Sequence, residues 1–214
     1  NSHGPLSISV SDFSNSFINQ TINDIDVSHS KFNHSSIMAS NPTYGSLPVE
    51  NIASITDCFF QTAYNEAHAI IELYGYKEFE IVSDTLDNIS NLSNICHGIS
   101  LHHSGSLEPS AKHLITDNLI YCSFGCTNDL TGITVYSSIA DIHNNYIYSN
   151  QIGIQSLGYS RLYITGDSGA NSEDQTQRII NNGLLQLYAS RNSFPLEFHW
   201  NSVYGDVSDC FIYH

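Results

Sequence analysis

The chain has 214 residues, enough for one sizeable core, and carries 21 acidic against 6 basic residues for a formal net charge of −15. A field of that sign repels nucleic acid and anionic lipid surfaces, so neither is expected as a partner. Only 13% of the residues are charged, and the polar remainder is mostly Ser, Asn and Thr with 13 Tyr, a balance that suits an extracellular β protein.

Leu6-Ser7-Ile8-Ser9-Val10 alternates with period two, the mark of a half-buried strand. Phe13 and Phe17-Ile18 close this first unit; Ile22, Ile25 and Val27 open the next, which runs to Phe32 and Ile37-Met38. Asn41-Pro42-Thr43-Tyr44-Gly45 is rich in turn formers and leaves the pattern as a loop. Val49, Ile52, Ile55 and Phe59-Phe60 resume it. Residues 67–73 fit a helical turn or a buried strand, and consecutive apolar residues in a β-rich context favour the strand. Phe79-Glu80-Ile81-Val82 starts a further unit, which turns at residues 87–93 and ends in His97-Gly98-Ile99-Ser100-Leu101. Residues 104–111 form a second excursion, after which Leu114-Ile115, Leu119-Ile120-Tyr121 and Gly132-Ile133-Thr134-Val135 continue the series. Residues 140–154, A-D-I-H-N-N-Y-I-Y-S-N-Q-I-G-I, are its clearest copy. Leu162-Tyr163-Ile164 begins another unit, broken by a polar, acidic insertion at 165–177; Arg178-Ile179-Ile180, residues 184–188 and residues 194–203 complete the chain.

Val10-Ser11-Asp12, Val27-Ser28-His29, Ile55-Thr56-Asp57, Val82-Ser83-Asp84, Ile115-Thr116-Asp117 and Ile142-His143-Asn144 repeat one opening. Anchors at Val10, Val27, Ile55, Val82, Ile115, Ile142, Ile164 and Leu187 are separated by 17 to 33 residues, about 25 on average. Gly98-Ile99, Gly132-Ile133 and Gly153-Ile154 repeat a second phrase. Stacked repeats of short strands produce such a pattern, whereas the helical phrases of ankyrin and tetratricopeptide units are absent.

In the phrase I-x-N-N-x-I-x-x-N-x-x-G-I of residues 142–154 the chain resembles the right-handed parallel β-helix proteins. That group includes pectate lyases, polygalacturonases, tailspikes, autotransporter passengers and the NosD-like repeat proteins. The resemblance covers nearly the whole chain and implies an all-β solenoid of about eight or nine rungs, a rod on the order of 40 Å long. It also implies a secreted or cell-surface location and a polysaccharide or cell-surface glycan as partner.

Pectate-lyase-like members use Arg or Lys on uronates, but the six cations here, Lys31, Lys77, Lys112, Arg161, Arg178 and Arg191, do not cluster. Polygalacturonase-like hydrolases carry N-T-D, an Asp pair, G-H-G and R-I-K; this chain has only His97-Gly98 and Arg178-Ile179. The expected function is therefore a structural, adhesive or carbohydrate-binding module. The alternative is a polysaccharide-degrading hydrolase or lyase using stacked carboxylates.

Asp12, His29, Asp57, Asp84, Asp117 and Asn144 read as one column at a tight turn, where Asn and Asp tolerate left-handed backbone. If carboxylates stack there, Asp57, Asp84 and Asp117 are the catalytic candidates, with Asp57 and Asp84 the first pair. Tyr146, Tyr148, Tyr163 and Trp200 are the candidates for sugar contact. Asp167 and Asp174 in the acidic insertion are the candidates for calcium, the cofactor such an oxygen set would take. His97, His102, His103 and His113 could meet a transition metal, although hydrogen-bonded surface histidines explain them as well.

The cysteines, Cys58, Cys96, Cys122, Cys126 and Cys210, lack a zinc spacing and read as small buried residues with at most one disulfide. No run of about 18 apolar residues is present, so membrane insertion is not expected. The chain opens without Met and reads as one domain over 1–214, a mature product or a piece of a longer one. Stacked strands leave open edges at both ends of a rod, so contacts with another copy are expected there.

Overall fold

The computed structural model describes residues 5–21, 24–41, 51–61, 69–88, 97–106, 110–123, 131–148, 150, 152–158, 160–165, 178–180, 185–190, 197–199 and 210–213. The described residues form strands and turns, with no helix. Strands come in triplets: β1 (Leu6–Ser9), β2 (Asp12–Ser14) and β3 (Phe17–Thr21), then β4 (Ile25–Ser28), β5 (Lys31–Asn33) and β6 (Ser36–Ser40). Next are β7 (Ile52–Thr56), β8 (Phe59–Gln61) and β9 (Ala69–Tyr74), then β10 (Glu78–Val82), β11 (Thr85–Asn88) and β12 (His97–His102). β13 (His113–Thr116), β14 (Leu119–Cys122) and β15 (Thr131–Tyr136) precede β16 (Ile139–His143), β17 (Tyr146–Tyr148) and β18 (Ile152–Leu157). The last are β19 (Arg161–Thr165), β20 (Arg178–Ile180), β21 (Leu185–Ser190), β22 (Glu197–His199) and β23 (Cys210–Tyr213).

Each triplet contributes one strand to each of three sheets. The first sheet runs β1-β4-β7-β10-β13-β16-β19-β22, the second β2-β5-β8-β11-β14-β17-β20, and the third β3-β6-β9-β12-β15-β18-β21-β23. Pairing is parallel, so equivalent side chains pile up along each sheet, as in Ile8, Val27, Ile55, Ile81, Ile115 and Ile142 of the first. The second sheet stacks Phe13, Phe32, Phe60, Leu86, Ile120 and Ile147. In the third, Ile37, Ile71, Ile99, Ile133 and Ile154 align, beside Ala39, Leu73, Leu101 and Val135. These columns meet in one buried core. Residues 69–74 are the buried strand that the apolar run favoured.

The glycine phrase has a steric cause. A Cβ on Gly132 would stand 2.5 Å from the Ile147 side chain and 2.6 Å from the Gly153 carbonyl; one on Gly98 would stand 2.6 Å from the Gly132 carbonyl. Gly132→Ala is therefore expected to cost about 1–3 kcal/mol through overpacking, since the opposing carbonyl belongs to a fixed strand. Its urea midpoint checks this, and a wild-type midpoint would mean the strands can part.

Between the first and second strands of each of the first six triplets lies a two-residue corner. Its first residue has left-handed backbone at Val10, His29, Asp57, Ser83, Asp117 and Asn144. Asn and Asp suit that geometry, whereas the β-branched Val10, 83% exposed, bears strain of roughly 1–2 kcal/mol. The second residue of the corner turns inward: Ser30, Cys58, Asp84, Asn118 and Asn145 are all buried.

This register corrects the column read from the sequence. Asp84 follows the left-handed Ser83 and belongs with Cys58 and Asn118, while Asp12 lies within β2, opposite Lys31. The repeated opening misleads in two copies: Ile8, not Val10, and Ile81, not Val82, share the inward position with Ile55. The anchor at Leu187 belongs to the third sheet, opposite Ile154.

Candidate functional site

The inward corner positions form a side-chain ladder that runs along the stack. The carboxamide oxygen of Asn118 accepts the Asp84 main-chain N–H at 2.9 Å, and that of Asn145 accepts the Asn118 N–H at 3.1 Å. Each amide nitrogen reaches back to a carbonyl of the first sheet, Asn118 to Ile81 at 2.9 Å and Asn145 to Ile115 at 2.8 Å. Serines do similar work at other corners: Ser104 N–H donates to Ser138 Oγ at 2.9 Å, and Ser16 N–H to Ser35 Oγ at 2.9 Å. The first corner residue still donates its N–H to a main-chain carbonyl of the next triplet, as His29 does to Thr56, but the amide of the second meets a side-chain acceptor instead, and its burial requires one.

Asp57 and Asp117, two of the catalytic candidates, share the exposed left-handed column, but Ser83 stands between them. Two strand spacings put their backbones about 10 Å apart. Asp57 lies 3.5 Å from the His29 ring, with its side chain 53% exposed, and Asp117 Oδ2 accepts from Thr116 Oγ1 at 3.2 Å. Asp84, the third candidate, is only 1% exposed, and its Oδ1 accepts the Cys58 N–H at 2.7 Å. The stacked pair expected of Asp57 and Asp84 is thus not formed, because the two residues occupy successive positions of the corner. Burial pushes the Cys58 thiol up to about 12, which makes it an inert packing group and not a nucleophile. Cys122 is disulfide-bonded.

Two outer faces gather polar and aromatic groups. On the second sheet Asp87, Tyr121 and Tyr148 align strand to strand, and Tyr146 stands beside Tyr148. The Tyr121 and Tyr148 rings stack at 5.2 Å with 1° between planes, and Tyr146 is tilted by 32° at 4.8 Å from Tyr148. Ser123 Oγ donates to the Asp87 carboxylate. Burial, with the Asp87 charge nearby, raises the Tyr121 phenol above its ordinary value; burial and the neighbouring Tyr146 do the same for Tyr148.

The third sheet carries the other group. Tyr74 donates to Glu72 Oε1 at 2.6 Å and stacks on His102 at 4.3 Å. His102 Nε2 lies 2.9 Å from Ser100 Oγ and 3.5 Å from the same Glu72 oxygen. Ser, His and Glu in contact suggest nucleophilic catalysis, but a relay needs the nucleophile and the orienting carboxylate on opposite ring nitrogens of the histidine base. Here both face Nε2, and Ser100 is fully buried. The cluster is a hydrogen-bonded patch, and residues separated by 28 positions in sequence gave no local signal of it.

Of the sugar-contact candidates, Tyr146 and Tyr148 come together; Tyr163 lies on the first sheet beneath the Arg161 guanidinium, 4.8 Å from its ring centre. Trp200 and the calcium candidates Asp167 and Asp174 lie outside the described residues. Among the histidines, His97 Nδ1 meets Thr134 Oγ1 at 2.9 Å, and His113 Nδ1 is 3.8 Å from Asp141. Among the described residues no three His, Cys, Asp or Glu side chains converge as metal ligands. No protein-family model matches the chain, and neither a curated protein nor a solved structure does.

Proposed function

We propose that the three sheets are the walls of a right-handed parallel β-helix, each triplet one rung of about eight, and that the rod is a secreted or cell-surface module contacting neutral polysaccharide. Strict rotation among three parallel sheets supports the winding, and parallel crossovers are right-handed almost without exception. The observation that carries the function is the half-buried pair Tyr121 and Tyr148 on the outer side of the second sheet, with Tyr146 beside them and the buried Asp87 behind Tyr121 in the same column. Because Tyr121 and Tyr148 cover one another's faces, they offer a ligand ring edges and phenol hydroxyls, beside the tilted ring of Tyr146. Rigid amphipathic rings of this kind suit a polyhydroxylated chain. A net charge of −15 disfavours uronates and sulfated glycans.

Affinity electrophoresis or calorimetry against a polysaccharide panel tests this. Neutral glucans or galactans should bind more tightly than polygalacturonate, and Tyr148→Ala should weaken binding about tenfold, the loss of roughly 1.4 kcal/mol. Absence of binding by the wild type, or an unchanged affinity in Tyr148→Ala, would sink the proposal. Release of reducing ends, abolished in a folded Asp57→Asn variant, would replace it with the glycan-cleaving alternative.

A further inference from the structure

The ladder of Asn118 and Asn145 continues into a residue of different chemistry. Asp84 occupies the position of those asparagines one triplet earlier, with its Oδ1 on the Cys58 N–H as theirs are on the preceding corner amides. Its other oxygen, Oδ2, is buried and has no donor. In Asn118 and Asn145 the corresponding atom is an NH₂ that donates to Ile81 and Ile115, residues of one inward column. The residue of that column facing Asp84 is Ile55, aligned with Ile81. The Cys58 thiol also lies within reach of this column, 3.8 Å from the Val27 carbonyl, although the Thr56 carbonyl at 3.3 Å is nearer.

We infer that Asp84 is held as a neutral carboxylic acid, a donor in place of an asparagine amide, with Oδ2–H directed at the Ile55 main-chain carbonyl. An ionised carboxylate would place lone pairs against a carbonyl oxygen in a dry interior, with no cation to offset them. The groups around it supply none. The preceding corner brings the carboxylate of Asp57 and the thiol of Cys58, its own corner Ser83, and the following corner Asn118 and the exposed Asp117. Burial raises the Asp84 carboxyl well above the usual range; the Cys58 N–H and, less strongly, the Cys58 thiol oppose this, and the Asp57 charge adds to it.

The consequence is a pH-dependent lock. A carboxyl whose native value lies above its unfolded value of about 4 contributes stability that is complete below that pH and is lost as pH rises through the native value. The Asp84 contact is therefore strongest in acid. Asp84→Asn supplies the donor permanently and removes this dependence.

Thermal unfolding of the full chain, wild type beside Asp84→Asn, should show curves that diverge from about pH 4 upward. At the alkaline end the variant should melt at least about 2–4 °C higher. The Asp84 carboxyl carbon in the wild-type NMR spectrum, identified by its absence from Asp84→Asn, gives an independent reading and should titrate well above the other carboxyls. A melting difference that does not change with pH, or an Asp84 carbon titrating near about 4, overturns the inference. Asp84→Ala should melt below the wild type in acid, because the Cys58 N–H then loses its acceptor; equal melting there also counts against it.

Discussion

Phe32→Ala should lower stability by about 3–5 kcal/mol, measured as a shift in the urea unfolding midpoint at constant slope. Phe32 is fully buried in the second sheet between Phe13 and Phe60, with ring centres 4.9 and 4.5 Å away and planes within 9° and 8°. Truncation removes two ring stacks together with the buried area. Parallel pairing of β2, β5 and β8 fixes their separation, so the walls cannot close on the void, and the cost should lie toward the upper end. Phe13 has a single described ring neighbour and is only half-buried, so Phe13→Ala should cost less than half as much. A loss below about 1 kcal/mol at Phe32 would show that the second sheet does not stack as described.

Asn118→Leu should cost about 2–4 kcal/mol, although leucine matches its size and adds apolar surface. The substitution leaves the buried N–H of Asp84 without its acceptor and the Ile81 carbonyl without the amide that reaches it. It also removes one of the two donors on Asn145 Oδ1. Each stranded group bears its desolvation penalty, which outweighs what a leucine gains by burial in a site shaped for an amide. Asn118→Asp separates shape from charge: if Asp84 is tolerated because it is neutral, Asn118→Asp should be milder in acid than at neutral pH. Equal stability of Asn118→Leu and wild type would mean that the corner amides find other partners.

The two faces of each strand were legible because side chains alternate with period two, and the Gly-Ile phrases marked a repeat, although only the structure showed the close approach of stacked backbones behind them. What misled was the pair Ile81-Val82, two aliphatics in succession at the end of a strand. Aligning Val82 with Ile55 shifts Asp84 onto Asp57. The alternation Phe79, Glu80, Ile81, with Phe79 and Ile81 buried, sets the register instead. One residue of slip exchanges an exposed carboxylate for a buried one.

The outer clusters were less accessible still. Glu72 meets His102, and Asp87 meets Ser123, across tens of residues, and nothing local to either pair marks the contact. Composition, periodicity and glycine placement by themselves determined an acidic chain of short strands in a stacked repeat, because those properties depend on neighbours in sequence. Tertiary structure alone decided which carboxyl lies in the ladder and which tyrosines share a face. Lateral register between strands is set by packing of the whole core, at a resolution of one residue that no single repeat encodes.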